Sequence, residues 1–211
     1  MFQKVFDKYT DSTVKVVGCS PYARESFTST IPIKSVADLK GVKLRSPEGL
    51  AAEVFKRAGA NPVGLPASEV YLPAKGRNSG CDYSSYTEDK SVGNHDIAKF
   101  PIYPGIHSMP TLQLTVNQAR YDALSAPDKV ALIYGIGPSG RPDAATELSD
   151  TELVAKDRAN SDLTIIDWSQ AERDKLRKIA EGAWADYAAS SPLAKEAFES
   201  VQAFLKRRGM L

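Results

Sequence analysis

The sequence predicts an α/β fold, and three observations predict it. Short stretches with strand character recur at residues 14–17, 42–45, 112–116 and 163–166. Segments with helical periodicity and their own start and stop signals stand between and after them, at residues 50–58, 169–187 and 191–208. The third observation is Arg45. It is a permanent cation at the end of the 42–45 strand, where Ser46-Pro47 signals a helix start. Open α/β sheets collect their ligands at such strand-to-helix junctions.

Residues 2–9 have weak helical character, and Val14-Lys15-Val16-Val17 alternates like a strand. Gly18 to Pro32 is rich in turn formers. Residues 36–41 form a short turn into the strand at 42–45. Ser46 then acts as a helix cap with Pro47 at the first helical position, where its missing N–H costs nothing. Leu50, Val54, Phe55 and Ala58 share one helical face, and Gly59 supplies the stop. Val63 and Leu65 lie in a short extended segment. Ser68 could cap a further helix, which Pro73 would shorten.

Leu112, Leu114 and Val116 alternate with Thr111, Gln113, Thr115 and Asn117, the cleanest strand pattern in the chain. Residues 135–150, rich in Gly, Pro, Ser and Asp, read as loop, and Leu163 to Ile166 as strand. Ser169 and Glu172 form a capping box, in which hydroxyl and carboxylate each satisfy a free amide. Leu176, Ile179, Ala180, Ala183, Trp184 and Tyr187 make the apolar stripe of the helix that follows. A last helix starts at Ser191-Pro192 and carries Ala194, Ala197, Phe198, Val201, Phe204 and Leu205. It stops near Gly209, with Lys206, Arg207 and Arg208 in its final turn, where the helix dipole favours cations.

The 211 residues suit one large domain or two small lobes sharing interwoven segments. With 27 basic and 26 acidic side chains the net charge is +1, which argues against a nucleic-acid partner, since phosphate binding wants a basic excess on one face. No apolar run approaches the ~20 residues that cross a bilayer. Residues 1–17 lack the sequence of charged, apolar and small-residue regions of an export leader. Cys19 and Cys81 form no CxxC pair and read as two packed thiols.

Gly135-Ile136-Gly137-Pro138-Ser139-Gly140 matches the dinucleotide pattern G-x-G-x-x-G, which would suit a nucleotide-dependent enzyme. However, Ala131 to Tyr134 reads as the end of a helix rather than a strand, which favours a surface loop. His95 and His107 are the two histidines, too few for a metal site without carboxylate or thiolate help. They read as surface or structural groups. A Cys81–His107–Asp arrangement could in principle activate a thiolate, but no nucleophile signature surrounds Cys81. Arg45 has two readings of equal weight: a surface cation paired to Glu48, or a planar fork that holds a carboxylate by two parallel hydrogen bonds.

Three stretches carry a resemblance: PIKSVADLKGVKLRSP (32–47), RAGANPVGLPASEVY (57–71) and KFPIYPGIHSMPTLQLTVN (99–117). With the C-terminal stretch TIIDWSQAERDKLRKIAEGAWADYAASSPLAKEAFESVQAFLKRRG, they resemble the solute-binding proteins of tripartite ATP-independent periplasmic (TRAP) transporters. The resemblance implies a two-lobed α/β fold of the periplasmic-binding-protein kind (type II-like), here partial, with the C-terminal helices. It implies capture of a small organic acid in the periplasm, delivery to membrane permease subunits, and no enzymatic reaction. Arg45 occupies the place of the arginine that grips the ligand carboxylate. Asp82 and Tyr83 match an acid and an aromatic that line the site, and the acid can help hold a Na or Ca ion beside the ligand. Arg24, about twenty places before Arg45, falls near a third polar site position.

The chain departs from the family pattern in three places. Residues 1–211 read as the solute-binding domain lacking most of its N-terminal lobe. Without a leader, the chain as written would stay in the cytoplasm, and with half a cleft it could be a fragment that binds nothing. PAKGRNSGC (73–81) stands where a helix and a buried apolar anchor are expected, and IYGIGPSGRPDAATEL (133–148) stands where a long amphipathic helix is expected. Compensated frameshifts are one explanation for both.

Overall fold

A computed structural model of the chain describes residues 1–66, 79–107, 110–136, 142–160 and 162–209. The chain divides into two compact units. The first comprises Met1–Ala23 and Met109–Ala145, and the second Arg24–Ser108 and Thr146–Leu211.

In the first unit, helix α1 (Phe2–Tyr9) leads into strand β1 (Val14–Pro21). Strand β6 (Thr111–Asn117) pairs with β1 in antiparallel fashion from Val14↔Asn117 to Pro21↔Thr111, with a bulge between Val16 and Gly18. The Gln3 side chain binds the β1 backbone as another peptide would: its Nε2 donates to the Val14 carbonyl at 2.9 Å and its Oε1 accepts from Val16 N at 2.8 Å. That pair fixes α1 on the strand. Asn117 ends β6 and caps α5 (Gln118–Asp122) by accepting from Arg120 N, and α6 (Ala126–Ile136) follows.

The second unit is built on a four-stranded sheet in the order β2-β5-β3-β4, from β2 (Phe27–Ser29), β5 (Ser79–Asp82), β3 (Lys43–Arg45) and β4 (Asn61–Val63). β3 runs parallel to both neighbours, and β2 is antiparallel to β5. A 3-10 turn (Val36–Leu39) precedes β3, and α2 (Leu50–Arg57) connects it to β4. Helices α3 (Tyr86–Ser91), α4 (Asn94–Ile97), α7 (Pro142–Asn160), α8 (Gln170–Ala188) and α9 (Pro192–Arg207) complete the elements.

The core gathers Phe27, Ile33, Leu39, Val42, Leu44, Phe55, Ile102, Trp168, Leu176 and Ala183, all essentially out of water. Each leucine so buried stabilises by about 1.5–3 kcal/mol. The Trp168 indole donates to the Ile33 carbonyl at 2.8 Å, so its polar edge is satisfied as its ring fills the core.

The periodic helices form as expected, while several local signals are overruled by tertiary contacts. Ser46-Pro47 does not start α2. Ser46 N donates to the Val63 carbonyl, which continues the sheet by one residue, and the helix begins only after Gly49, at φ 96°. Ser169 does cap α8 by accepting from Glu172 N. The Glu172 carboxylate, however, leaves the capping box to accept from Val36 N at 2.9 Å, stapling the 3-10 turn to α8. The turn-rich stretch 18–32 holds the end of β1 and all of β2. Residues 163–166 contribute one parallel bridge, Ile166 to Ile102. The α9 stripe is only half-covered, with Val201 53% and Phe204 48% exposed.

The expected loop at 135–150 is helical at both described ends. Gly135 and Ile136 close α6, and α7 runs from Pro142, where proline suits a first helical position. Residues 142–148, expected to break the family's helix, are therefore part of one. In the other irregular stretch, Ser79 and Gly80 lie buried in β5. A Cβ on Gly80 would meet the Phe27 ring at 2.7 and 2.9 Å, so the Phe27 ring lies against the space a side chain would need. Residues 67–78, with Ser68 and Pro73, and 137–141 fall outside the described residues.

Candidate functional site

Arg45 ends the central strand β3, and β3 pairs with β5 so that Arg45 stands opposite Cys81, next to Asp82. Its side chain does not reach out to Glu48. It is 8% exposed, with Nε and Nη2 both donating to the Leu65 carbonyl (3.2 and 3.1 Å) and Nη1 to the Asp82 carbonyl (2.5 Å). A guanidinium carries five N–H groups. Two of Arg45's, one on each terminal nitrogen, have no partner among the described residues. The Tyr83 ring centre lies 5.9 Å from the guanidinium carbon.

The Asp82 side chain is fully buried. Oδ1 meets His107 Nε2 at 2.7 Å, and Oδ2 has no hydrogen-bond partner among the described residues. The Glu25 carboxylate stands 3.6 Å from the same His107 nitrogen. One donor atom from each of Glu25, Asp82 and His107 lies within 4.8 Å of the others. Burial pulls the His107 pKa down, but the Asp82 charge and hydrogen bond, with Glu25 behind them, more than reverse this and leave it above the ordinary value. The ring also packs edge-on against Phe55, with centres 5.3 Å apart.

A close backbone approach assembles this group. A Cβ on Gly105 would overlap the Glu25 carbonyl, so only glycine lets segment 103–107 lie against residues 24–25. Arg173 holds that segment from α8, donating to the carbonyls of Gly105 (2.7 Å), Pro104 (2.9 Å) and Trp168 (3.1 Å).

Of the four residues expected at a site, Arg45, Asp82 and Tyr83 come together. Arg24 turns elsewhere: its Nε lies 3.5 Å from Glu147 on α7, its backbone N donates to the same carboxylate, and its side chain is 42% exposed. Glu25 and His107 join the group without having been expected there. Their one local signal is Gly105, two places before His107, because a close approach needs glycine. Cys81 is buried, and desolvation followed by the Asp89 charge raises its pKa, so it stays a thiol; His107 bonds to Asp82 instead. The G-x-G-x-x-G pattern fails in its described part: Gly135 lies in the last turn of α6, with no strand before it.

Residues 1–191 match the family described as DctP, bacterial extracellular solute-binding protein, family 7. The monocarboxylate 2-oxoacid-binding periplasmic protein all3028 of Nostoc sp. is 30% identical over 186 residues, covering 83% of this chain and 48% of that protein. The 2,3-diketo-L-gulonate-binding periplasmic protein YiaO of Escherichia coli is 31% identical over 138 residues, covering 64% and 39%. Among solved structures, a TRAP periplasmic solute-binding protein from Rhodobacter sphaeroides, in an apo open form, superposes with a TM-score of 0.74 at 37% identity, covering 98% of this chain and 66% of that one. The ectoine-binding protein of the Halomonas elongata TeaABC TRAP transporter shares the fold at a TM-score of 0.83. The chain spans about half the length of the curated relatives it matches. With a family match over most of its length and the α/β fold of TRAP periplasmic binding proteins, the chain belongs to the bacterial extracellular solute-binding protein family 7.

Proposed function

We propose that this chain serves as the substrate-binding component of a TRAP-type transporter, capturing a small organic acid in the periplasm for delivery to membrane permease subunits. No bond is made or broken. Residues 1–211 correspond to part of a solute-binding protein of this kind, covering 48% of the Nostoc relative and 66% of the Rhodobacter sphaeroides structure. The observation that carries the functional reading is Arg45: a nearly buried guanidinium, held by three backbone hydrogen bonds, with two N–H groups uncommitted among the described residues. A planar donor pair of this kind suits a carboxylate.

In this reading Arg45 grips the carboxylate and Tyr83 packs against the ligand or offers its hydroxyl. Asp82 Oδ2, buried and unmatched, takes a ligand hydroxyl or a Na or Ca ion brought with the ligand. Asp82 and Glu25 supply the oxygens that such hard cations prefer. Arg24, engaged with Glu147, has a lesser part.

The 2-oxoacid and diketogulonate relatives suggest the probes. Calorimetric titration with pyruvate, other 2-oxo acids and 2,3-diketo-L-gulonate should give binding by the parent protein. Arg45→Ala should weaken it about a hundredfold, the ~2–3 kcal/mol of a charge-assisted hydrogen-bonded pair. Equal affinity for parent and variant refutes the role of Arg45. A parent that binds none of a broad panel of organic acids refutes capture by this chain.

A further inference from the structure

Close to Cys81 and Asp82 of β5 lies a buried polar group that ligand capture does not use. Asp89 on α3 and Asn94 on α4 are 0% and 1% exposed. Asn94 Nδ2 donates to Asp89 Oδ1 at 2.7 Å. The other two atoms of the pair, Asp89 Oδ2 and Asn94 Oδ1, are buried and have no hydrogen-bond partner among the described residues. Both are acceptors if Asp89 is a carboxylate, so neither can satisfy the other. Turning the Asn94 amide over only exchanges which oxygens are left over. A single proton removes the mismatch: a carboxylic acid at Asp89 donates O–H to the amide oxygen while accepting from the amide N–H, and a cyclic acid–amide pair leaves no atom unmatched.

We propose that Asp89 is a proton-holding site, a neutral carboxylic acid closed in a cyclic pair with Asn94, which ties α3 to α4. An unpaired buried polar atom costs free energy comparable to a lost hydrogen bond, and an unpaired buried charge costs far more. The groups facing Asp89 agree. Asp82 on β5, Asp150 on α7 and Glu88 on α3 all present negative charge to it, and Cys81 on β5 is a buried thiol. Desolvation first, and these carboxylates after it, hold the Asp89 pKa well above the usual range against the opposing Asn94 hydrogen bond.

Neutral when folded and ionised when unfolded, Asp89 contributes fully below the ordinary carboxylate pKa of about 4. That contribution is lost as pH rises toward its folded pKa. Asn in its place mimics the neutral acid, because its amide can close the same ring at every pH.

The test is thermal unfolding of the parent and Asp89→Asn from pH 4 to pH 9, with infrared spectra of both. The proposal expects equal melting temperatures near pH 4 and a growing advantage for Asp89→Asn above it, about 3 °C per pH unit until Asp89 ionises in the fold. It also expects a protonated-carboxyl carbonyl band at neutral pH in the parent that is missing from Asp89→Asn. A variant advantage that does not change with pH, or a variant less stable than the parent at neutral pH, overturns it. Should Asp89→Asn fail to fold, the parent labelled with carbon-13 aspartate decides against Asn94→Ala. A protonated-carboxyl band at neutral pH that shifts in Asn94→Ala supports the pair; an absent or unshifted band overturns it.

Discussion

In the second unit Leu44 and Phe55 are at most 1% exposed, while in the first Leu112 and Leu114, in the cleanest strand alternation of the chain, are 51% and 36% exposed. The backbone of the first unit is nonetheless well paired: β1 and β6 match over seven residue pairs, and Gln3 adds two more hydrogen bonds along β1. Every buried apolar residue among those described, Ala23 apart, lies in the second unit. Backbone pairing and side-chain burial are thus separable. A ladder satisfies its polar groups by itself, but an apolar face gains only when something covers it. Stability in this chain should therefore follow the second unit.

The largest effect that tests this contrast is a paired truncation. Phe55→Ala should cost about 3–5 kcal/mol in urea unfolding, since it opens a cavity among Phe27, His107 and the rest of the core. Leu112→Ala should stay within about 0.5 kcal/mol, as exposed substitutions do. A comparable cost for both would break the comparison and show that the Leu112 face is covered in solution.

The next effect is a pH dependence confined to the second unit. His95 is 3% exposed, both its ring nitrogens lack partners among the described residues, and its ring lies 4.6 Å from that of Tyr86. Burial lowers its pKa from 6.5 to about 4. The unfolded chain then binds the proton more readily, so this contribution is present above about pH 6.5 and is lost as pH falls toward 4. The loss amounts to up to about 3 kcal/mol. Its slope opposes that of Asp89. His95→Leu should remove the acid-side loss, measured as the stability difference from the parent between pH 7 and pH 4; a difference that does not vary with pH would refute it.

The smallest effect compares caps. Ser169→Ala removes the cap of α8, a helix that carries Leu176 and Ala183 into the core, and should cost about 1 kcal/mol of global stability. Asn117→Ala removes an exposed cap from the five-residue α5 and should cost a few tenths of a kcal/mol, about the low end for caps. Equal costs would mean the units unfold together with equal dependence on their helices.

Helices α2, α8 and α9 were legible because 3.6-residue periodicity is a local fact of the chain, as are the serine caps of α8 and α9 and the glycines that follow α2 and α9. The Arg45 position was legible for the same reason, as a cation at the end of a strand pattern. The Glu25, Asp82 and His107 group was not. Those residues are up to 82 positions apart, and what joins them is the β3–β5 pairing together with the Gly105 approach to Glu25. The diversion of Glu172 to Val36 and of Ser46 into the sheet likewise turned on distant backbone groups.

By itself, then, the sequence determined the periodic helices α2, α8 and α9, the place of an arginine at the end of a strand, and the family pattern those elements spell. Tertiary structure alone decided which apolar faces are covered, which capping signals are obeyed and which ionisable groups share a buried site. The physical reason is range. Periodicity and capping act within a turn or two of the backbone, whereas desolvation and hydrogen-bond partnership depend on what long-range packing brings alongside.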